Sequence, residues 1–391
     1  MGSDLVSACI FCAGTLLGMD LSPRMGLGAE LGFSYATLAR RLDVPGSVER
    51  IDTSDVTPKF LLVGIGNARM ARNGLGAGTP EFEWRVRVGF APSHDEQRIR
   101  AAPGVEPINT DGTGRYENFA LLLRLPVGAR DSVEFAANRR NHSATDLINI
   151  GGENLQFTEE RTLGAERIDL AAGWRHRWKG LEAEAAVRWT KPGGSNNTAR
   201  MFHRASGVLL GGELEVRWRS GGWTALAHGE RMSGTLDVHR ESFPAFEDRD
   251  ASLDASLEAY RLGVGYSWPR TELMLTATYD RQHLPFVALA VLGTETVAFD
   301  AGFDPDSIVK QVFWDLTARY AVTPAIRAKV GIRMAWGDET VRLTDSAGVL
   351  PDRTLEVARR GVFGGGLSGP LGQPEPALFI GADFSIGTPA P

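Results

Sequence analysis

The stretch EFEWRVRVGF, residues 81–90, decides the fold class of this chain of 391 residues. Its residues alternate strictly: charged residues and one glycine stand at the odd positions, whereas phenylalanine, tryptophan and valine stand at the even positions. Successive side chains of a β-strand point to opposite faces, so a period of two predicts a strand with one charged and one apolar face.

The same alternation recurs along the whole chain, for example over 167–178, 181–189, 260–268 and 326–336. Each segment again has an apolar parity and a charged or small parity. We therefore predict fifteen strands of about ten residues, near 25–38, 57–67, 81–91, 116–125, 131–140, 166–177, 181–190, 207–218, 223–234, 256–268, 271–281, 310–321, 325–336, 355–367 and 377–387.

The connections between these strands come in two alternating sizes. Tight turns are predicted at 126–129, 178–180, 220–222, 269–270 and 322–324. Long connections rich in glycine, aspartate, asparagine, serine and proline are predicted as exposed loops, at 93–114, 141–164, 191–205, 237–253, 282–307 and 337–353.

Composition excludes several other classes of protein. The longest apolar runs, 5–18 and 284–293, are shorter than the roughly 20 residues that a membrane-spanning helix needs. The formal net charge of −6 argues against a nucleic-acid binder, because such proteins carry a basic patch or stripe. Two cysteines rule out a disulfide scaffold and a four-cysteine zinc site.

Ten-residue strands with one charged and one apolar face, joined alternately by short turns and long polar loops, are typical of a transmembrane β-barrel. The chain resembles bacterial outer-membrane β-barrel proteins of the porin-like class, over nearly everything after residue 24. The resemblance implies an all-β, antiparallel, up-and-down barrel of about 14 to 16 strands in the outer membrane. Bacterial single-chain barrels have even strand numbers, so fifteen leaves both fourteen and sixteen open.

The last predicted strand, ALFIGADFSI at 377–386, resembles the terminal strand that the barrel-insertion machinery of this class reads. It departs from that pattern by continuing to Pro391 rather than finishing on an aromatic residue. The resemblance also implies membrane lipid as the surroundings of the barrel.

Strand alternation assigns residues to the two faces of the barrel wall. Aromatic residues near strand ends are predicted to form a lipid-facing girdle: Trp178, Trp218, Trp268, Tyr320 and Trp336. The charged parity is predicted to line the lumen, with cross-strand ion pairs between Glu81, Glu83, Arg85, Arg87, Arg175, Arg177, Glu182, Glu184, Arg188, Glu213, Glu215, Arg217, Arg261, Asp315, Arg319, Arg327, Lys329 and Arg333.

Residues 1–20 are predicted to be a signal peptide, followed by a single barrel domain over 21–391. The apolar run 5–18 has the length of the apolar core of such a peptide, although no lysine or arginine precedes it. A truncated start, or retention of this run as a sixteenth strand, would explain the missing basic residues.

One apolar segment within the connection 282–307 is unlike the other loops. We predict that it folds into the barrel mouth as a constriction, or packs among the neighbouring loops or against lipid or a partner. The residues concerned are Leu284, Pro285, Phe286, Leu289 and Leu292.

Few motifs suggest chemistry. The histidines lack the spacing of a zinc site, and the G-x-G at Gly64 and Gly66 lacks the rest of a dinucleotide fingerprint, so we expect no metal or cofactor. A hydrolytic site of His228, Glu230 and Ser233 is a weak alternative; we expect no enzyme.

Two hypotheses of function remain. The first is a passive outer-membrane channel or porin-like protein for small solutes or ions. The second is a barrel with a filled lumen that serves as a structural sheath or scaffold for a partner, or as a lipid-modifying enzyme. The sequence does not choose the solute or the oligomeric state.

Overall fold

The computed structural model describes residues 24–44, 47–70, 82–100, 108–150, 157–197, 201–242, 247–283, 303–323, 326–345, 353–362 and 378–386. Within these ranges, no helix has the length and apolar character needed to cross a membrane. The strands are β1 (Arg24–Val44), β2 (Ser47–Met70), β3 (Phe82–Arg100), β4 (Ile108–Pro126), β5 (Asp131–Ile150), β6 (Phe157–Trp178), β7 (Leu181–Asn197), β8 (Met201–Ser220), β9 (Trp223–Ser242), β10 (Glu247–Ser267), β11 (Thr271–His283), β12 (Phe303–Thr323), β13 (Ile326–Asp345), β14 (Arg353–Val362) and β15 (Leu378–Ile386).

Each strand from β1 to β13 pairs antiparallel with the next strand in the sequence. Strand β13 then pairs with both β14 and β15, and both of these pair with β1. The series of pairings therefore returns to the strand at which it started, in an all-β, up-and-down arrangement.

Strands β14 and β15 share one position between β13 and β1. On β1, Tyr35 is opposite Val362, the last residue of β14, and Phe33 is opposite Leu378, the first residue of β15. The two short strands thus follow each other along the same line. Among the described strands, thirteen occupy one position each and β14 and β15 share another, which makes fourteen positions (13 + 1).

The fifteen strands lie where the alternation predicts them, but most are about twice the expected length. Strand β5, for example, continues to Ile150, and the strands other than β11, β14 and β15 contain 17 to 24 residues. Large parts of the predicted loops at 93–114, 141–164, 191–205, 237–253 and 337–353 are therefore strand. Backbone pairing does not require two unlike faces, so the sequence alternation ends before the hydrogen-bond ladder does.

The tight turns follow from local backbone preference. Lys179 and Gly180 have φ angles of 41° and 87°, and Gly221 and Gly222 have φ angles of 55° and 88°. Two consecutive positive φ angles are the signature of the type I′ turn, whose twist matches that of the strands it joins.

Burial alternates along the central strands whose side chains the structure describes, with charged residues on the covered side. On β6, Leu170 and Trp174 are nearly half exposed, whereas Asp169 and Arg175 are buried. This is the reverse of a water-soluble sheet, in which the apolar face is covered. The inner face of the ring is therefore the charged one, and the outer face is apolar.

Two predictions fall outside the described residues. They are the signal peptide at 1–20 and the apolar segment that contains Leu284, Pro285, Phe286, Leu289 and Leu292.

Candidate functional site

A continuous series of ion pairs crosses the inner face from β4 to β7. The carboxylate of Glu134 on β5 accepts a hydrogen bond from Arg124 on β4. It accepts a second one, at 3.2 Å, from Nη1 of Arg175 on β6. Arg175 also pairs with Glu182 on β7, whose second carboxylate oxygen lies 3.1 Å from Nε of Arg177. Glu134 and Arg175 are almost fully buried, so each charge depends on its neighbours for compensation.

A second network lies on β7, β8 and β9. Arg188 donates to Glu213 at 3.0 Å and to Glu230 at 2.8 Å. His228 lies 3.9 Å from Glu230, and its Nδ1 is buried without a hydrogen-bond partner. Atoms of Glu213, His228 and Glu230 approach within 4.8 Å of one another, the spacing of a metal site. The guanidinium of Arg188 bridges the two carboxylates and offsets one of their two negative charges.

Ser233 does not join His228 and Glu230. It is exposed on the outer face of β9, whereas His228 and Glu230 belong to the opposite parity, on the inner face. A nucleophile and its base must lie within hydrogen-bond reach, so these three residues do not form the hydrolytic site that the sequence suggested as an alternative.

The inner face from β10 to β13 carries both bases and acids. Asp315 pairs with Arg333, and Glu272 lies 3.4 Å from Arg319. Arg261 is exposed and donates to the hydroxyl of Thr278 at 3.3 Å. Arg327 is exposed at the start of β13. Arg327 is opposite Asp383 of β15 in register, whereas the described partner of Arg261 is a hydroxyl rather than a carboxylate.

The inner face also contains an apolar layer that sequence reasoning missed. Leu209, Met232, Leu236 and Leu257, on β8 to β10, are almost completely buried. The sulfur of Met232 lies 3.3 Å from the hydroxyl of Thr190 two strands away. The side chain of Met232 crosses β8 at Gly211. No larger residue fits there, because an added Cβ would come within 1.9 Å of a backbone oxygen. Strand parity could have revealed the layer, because Leu209 has the same parity as the inner-face glutamates of β8.

A basic cleft of about 520 Å³ lies at the end of the wall that carries the tight turns. Arg177 and the turn residue Lys179 line it together with Arg217 and Arg219 at the end of β8. Arg130, from the turn between β4 and β5, completes the basic lining. The cleft concentrates positive charge at this mouth of the ring.

Most of the charged residues assigned to the lumen from sequence lie on the inner face of their strands. The structure brings together Arg175, Arg177 and Glu182 in the first network and Arg188 and Glu213 in the second. Register places Glu83 and Arg85 of β3 opposite Arg124 and Leu122. Glu81 lies outside the described residues. The other predicted positions on inner-face parity are Arg87, Glu184, Glu215, Arg217, Arg261, Asp315, Arg319, Arg327, Lys329 and Arg333.

The five aromatic residues predicted as one girdle lie at two levels of the outer face. Trp178, Trp218, Trp268 and Tyr320 are exposed at the turn end. Trp336 is opposite Val312, on the register row of the stacked pair Tyr260 and Tyr279, nearer the other end of the strands. The apolar face therefore has an aromatic border at each end.

Outer-face charges mark the limits of the apolar band. On β6, Glu166 pairs with Arg139 at 2.8 Å, and His176 lies 2.8 Å from Asp131. These two positions on β6 are ten residues apart (176 − 166). That spacing is about 34 Å along a strand and about 26 Å along the membrane normal at a tilt of about 40°, and a bilayer needs an apolar band of about 25 Å. The chain has the architecture of a transmembrane β-barrel.

No family model and no curated protein matches this barrel. It is similar to a solved structure of the TodX monoaromatic hydrocarbon channel (deltaS2 mutant), with 10% identity, 93% of this chain and 90% of that chain covered, and a TM-score of 0.44. A FadL homologue of Pseudomonas aeruginosa is 10% identical over 92% of this chain and 90% of that chain, with a TM-score of 0.43. The transport unit of the autotransporter AIDA-I from Escherichia coli is 9% identical over 97% of both chains, with a TM-score of 0.41.

Proposed function

We propose that this barrel is a passive outer-membrane channel for small solutes or ions. The observation that carries the proposal is Arg261, an exposed base on the inner face whose described partner is the hydroxyl of Thr278 rather than a carboxylate. An ionised side chain without a partner is stable only where water solvates it. Water along this wall supplies the path that a polar solute would take.

The inner face has the chemistry of selection rather than of catalysis. Its carboxylates are held by arginines in extended networks, so they present fixed charges to a passing solute. Fixed charges along a lumen favour ions of opposite sign.

A second candidate function is a filled barrel that acts as a sheath or scaffold. It is favoured by the near-complete burial of Leu209, Met232 and Leu236 on the inner face, which a wide aqueous lumen would leave exposed. The two candidates differ in whether the folded protein conducts.

Planar-bilayer recordings of the refolded protein test the proposal. We expect discrete conductance steps from the wild-type protein and a reversal potential shifted toward cations in Arg261→Gln, because this variant removes a positive charge exposed on the inner face. Arg231→Gln, which removes the same charge from the exposed outer face of β9, is the matched control and should conduct like the wild type. A wild-type barrel that inserts and is silent would reject the channel in favour of the sheath.

A further inference from the structure

The basic cleft at the turn end is built on three neighbouring pieces of backbone. The amide of Arg177 donates to the carbonyl oxygen of Arg130 at 2.8 Å, and the amide of Arg219 donates to the carbonyl oxygen of Gly180 at 2.8 Å. These bonds fix the turns between β4 and β5 and between β6 and β7 beside the end of β8. The positions from which the basic side chains extend are therefore held before any ligand arrives.

Only part of the positive charge in the cleft is neutralised within the protein. Glu182 is the carboxylate in its lining and pairs with Arg177 at 3.1 Å. In the described part of the chain, no ion pair engages Arg130, Lys179 or Arg219. The carboxylate nearest to Arg130 in sequence, Asp131, is already bonded to His176 and Trp174.

We propose that this cleft binds a phosphate group. Guanidinium groups present paired donors that match phosphate oxygens, and lysine adds a compact positive charge. Like charges gathered in one cleft repel each other, so an anion that joins them is bound favourably. The volume of about 520 Å³ admits a phosphorylated headgroup or a small phosphorylated solute.

The position of the cleft makes two sources of phosphate accessible. Trp178, which belongs to the turn-end aromatic border, also lines the cleft and is half exposed. Aromatic borders lie at the level of lipid headgroups, so a phospholipid of the inner leaflet can reach the site from the side. A soluble phosphate compound can reach it from the aqueous mouth. This inference goes beyond conduction, because the site can be occupied whether or not the lumen is open.

Calorimetric titration of the detergent-solubilised, refolded barrel with glycerol phosphate tests the chemistry. We expect saturable binding that weakens about tenfold or more in the double variant Arg130→Gln, Arg219→Gln, since charge-assisted hydrogen bonds to phosphate are lost. The control is Arg204→Gln, Arg231→Gln, which removes the same charge from exposed positions towards the other end of β8 and β9 and should bind like the wild type. Equal weakening in both double variants, or no saturable binding by the wild type, would overturn the proposal.

Lys179→Asn tests the cleft with a variant that should still fold. Asparagine tolerates the positive φ that this turn residue adopts, so the hairpin should be kept while one cleft charge is lost. We expect weaker phosphate binding with unchanged heat-modifiable gel mobility. Binding at wild-type strength would remove Lys179 from the site and contradict the proposal.

A second titration, with short-chain phosphatidic acid, identifies the source. Tighter binding than glycerol phosphate, lost in the same cleft variants, supports a lipid phosphate. Equal affinity for the two compounds supports a soluble phosphate. Binding of phosphatidic acid that the cleft variants leave intact would reject the cleft as its site.

Discussion

At the scale of single residues, Glu134 is a buried carboxylate that depends on two arginine partners. It lies between Arg124 and Arg175 and is almost fully buried. Glu134→Gln leaves both guanidinium groups without this carboxylate, and we expect it to lower the free energy of unfolding by about 3 to 5 kcal/mol. Urea unfolding of the vesicle-inserted protein, followed by tryptophan fluorescence, measures the change.

Glu166→Gln provides the control for this prediction. Glu166 pairs with Arg139 on the outer face, where both side chains are about half exposed. Exposed pairs contribute only about 0 to 1 kcal/mol. Similar losses of stability in the two variants would contradict the prediction, because the buried ion pairs would then contribute no more than an exposed one.

Two glycines in the tight turns distinguish the energetic cost of a left-handed backbone from the cost of a steric clash. Gly180 has φ 87°, and an added Cβ would lie 2.4 Å from the carbonyl oxygen of Arg219; Gly221 has φ 55° and open space around it. We expect Gly221→Ala to cost about 1 to 2 kcal/mol for the left-handed backbone alone. Gly180→Ala should cost clearly more, measured by the same urea titration. Equal costs would mean that the contact between neighbouring turns is not tight in solution.

At the scale of the strands, sequence alternation located every described element but not its far end. Residues 81–90 alternate because one face meets lipid and the other meets the lumen, whereas beyond the bilayer both faces can be polar and the signal disappears. The same reasoning equated charge with the inner face and so overlooked Leu209 and Met232. The pairing of Glu134 with two arginines depends on register between strands, which a single sequence does not reveal.

The assignment of the faces can be tested on two neighbouring strands. Val264 lies on the outer face of β10, and Leu226 lies on the inner face of β9, one register row away. Val264→Arg should cost about 2 to 4 kcal/mol, the range for a charge at the middle of the bilayer on a lipid-facing position. Leu226→Arg places the same charge on the inner face, opposite Arg217 and diagonal to Glu215 in register, and should cost less because it avoids lipid. Urea unfolding in vesicles compares them, and the reverse order would exchange the two faces.

At the scale of the whole molecule, the shared position of β14 and β15 predicts the effect of truncation. A chain that ends at Val362 leaves residues 25–33 of β1 and 326–332 of β13 without backbone partners on one of their two sides. Unpaired backbone groups in lipid cost several kcal/mol each, so no heat-resistant barrel should form after refolding. A chain that ends at Ile386 retains every pairing of β15 and should give the normal heat-modifiable gel mobility. A folded product from the shorter chain would show that β15 is dispensable.

The pairing of β15 with β1 also sets the order of events in time. Phe33 and Leu378 are 345 residues apart in sequence (378 − 33), whereas the hairpins around Lys179 and Gly221 join residues that are adjacent in the chain. Contacts of high sequence separation form slowly because they must first close a long loop. Until then, β1 at one end of the sheet and β14 with β15 at the other present open edges, which can pair with those of another copy. Refolding of this protein is therefore a competition between a slow ring closure within one molecule and association between molecules, and its yield should rise on dilution.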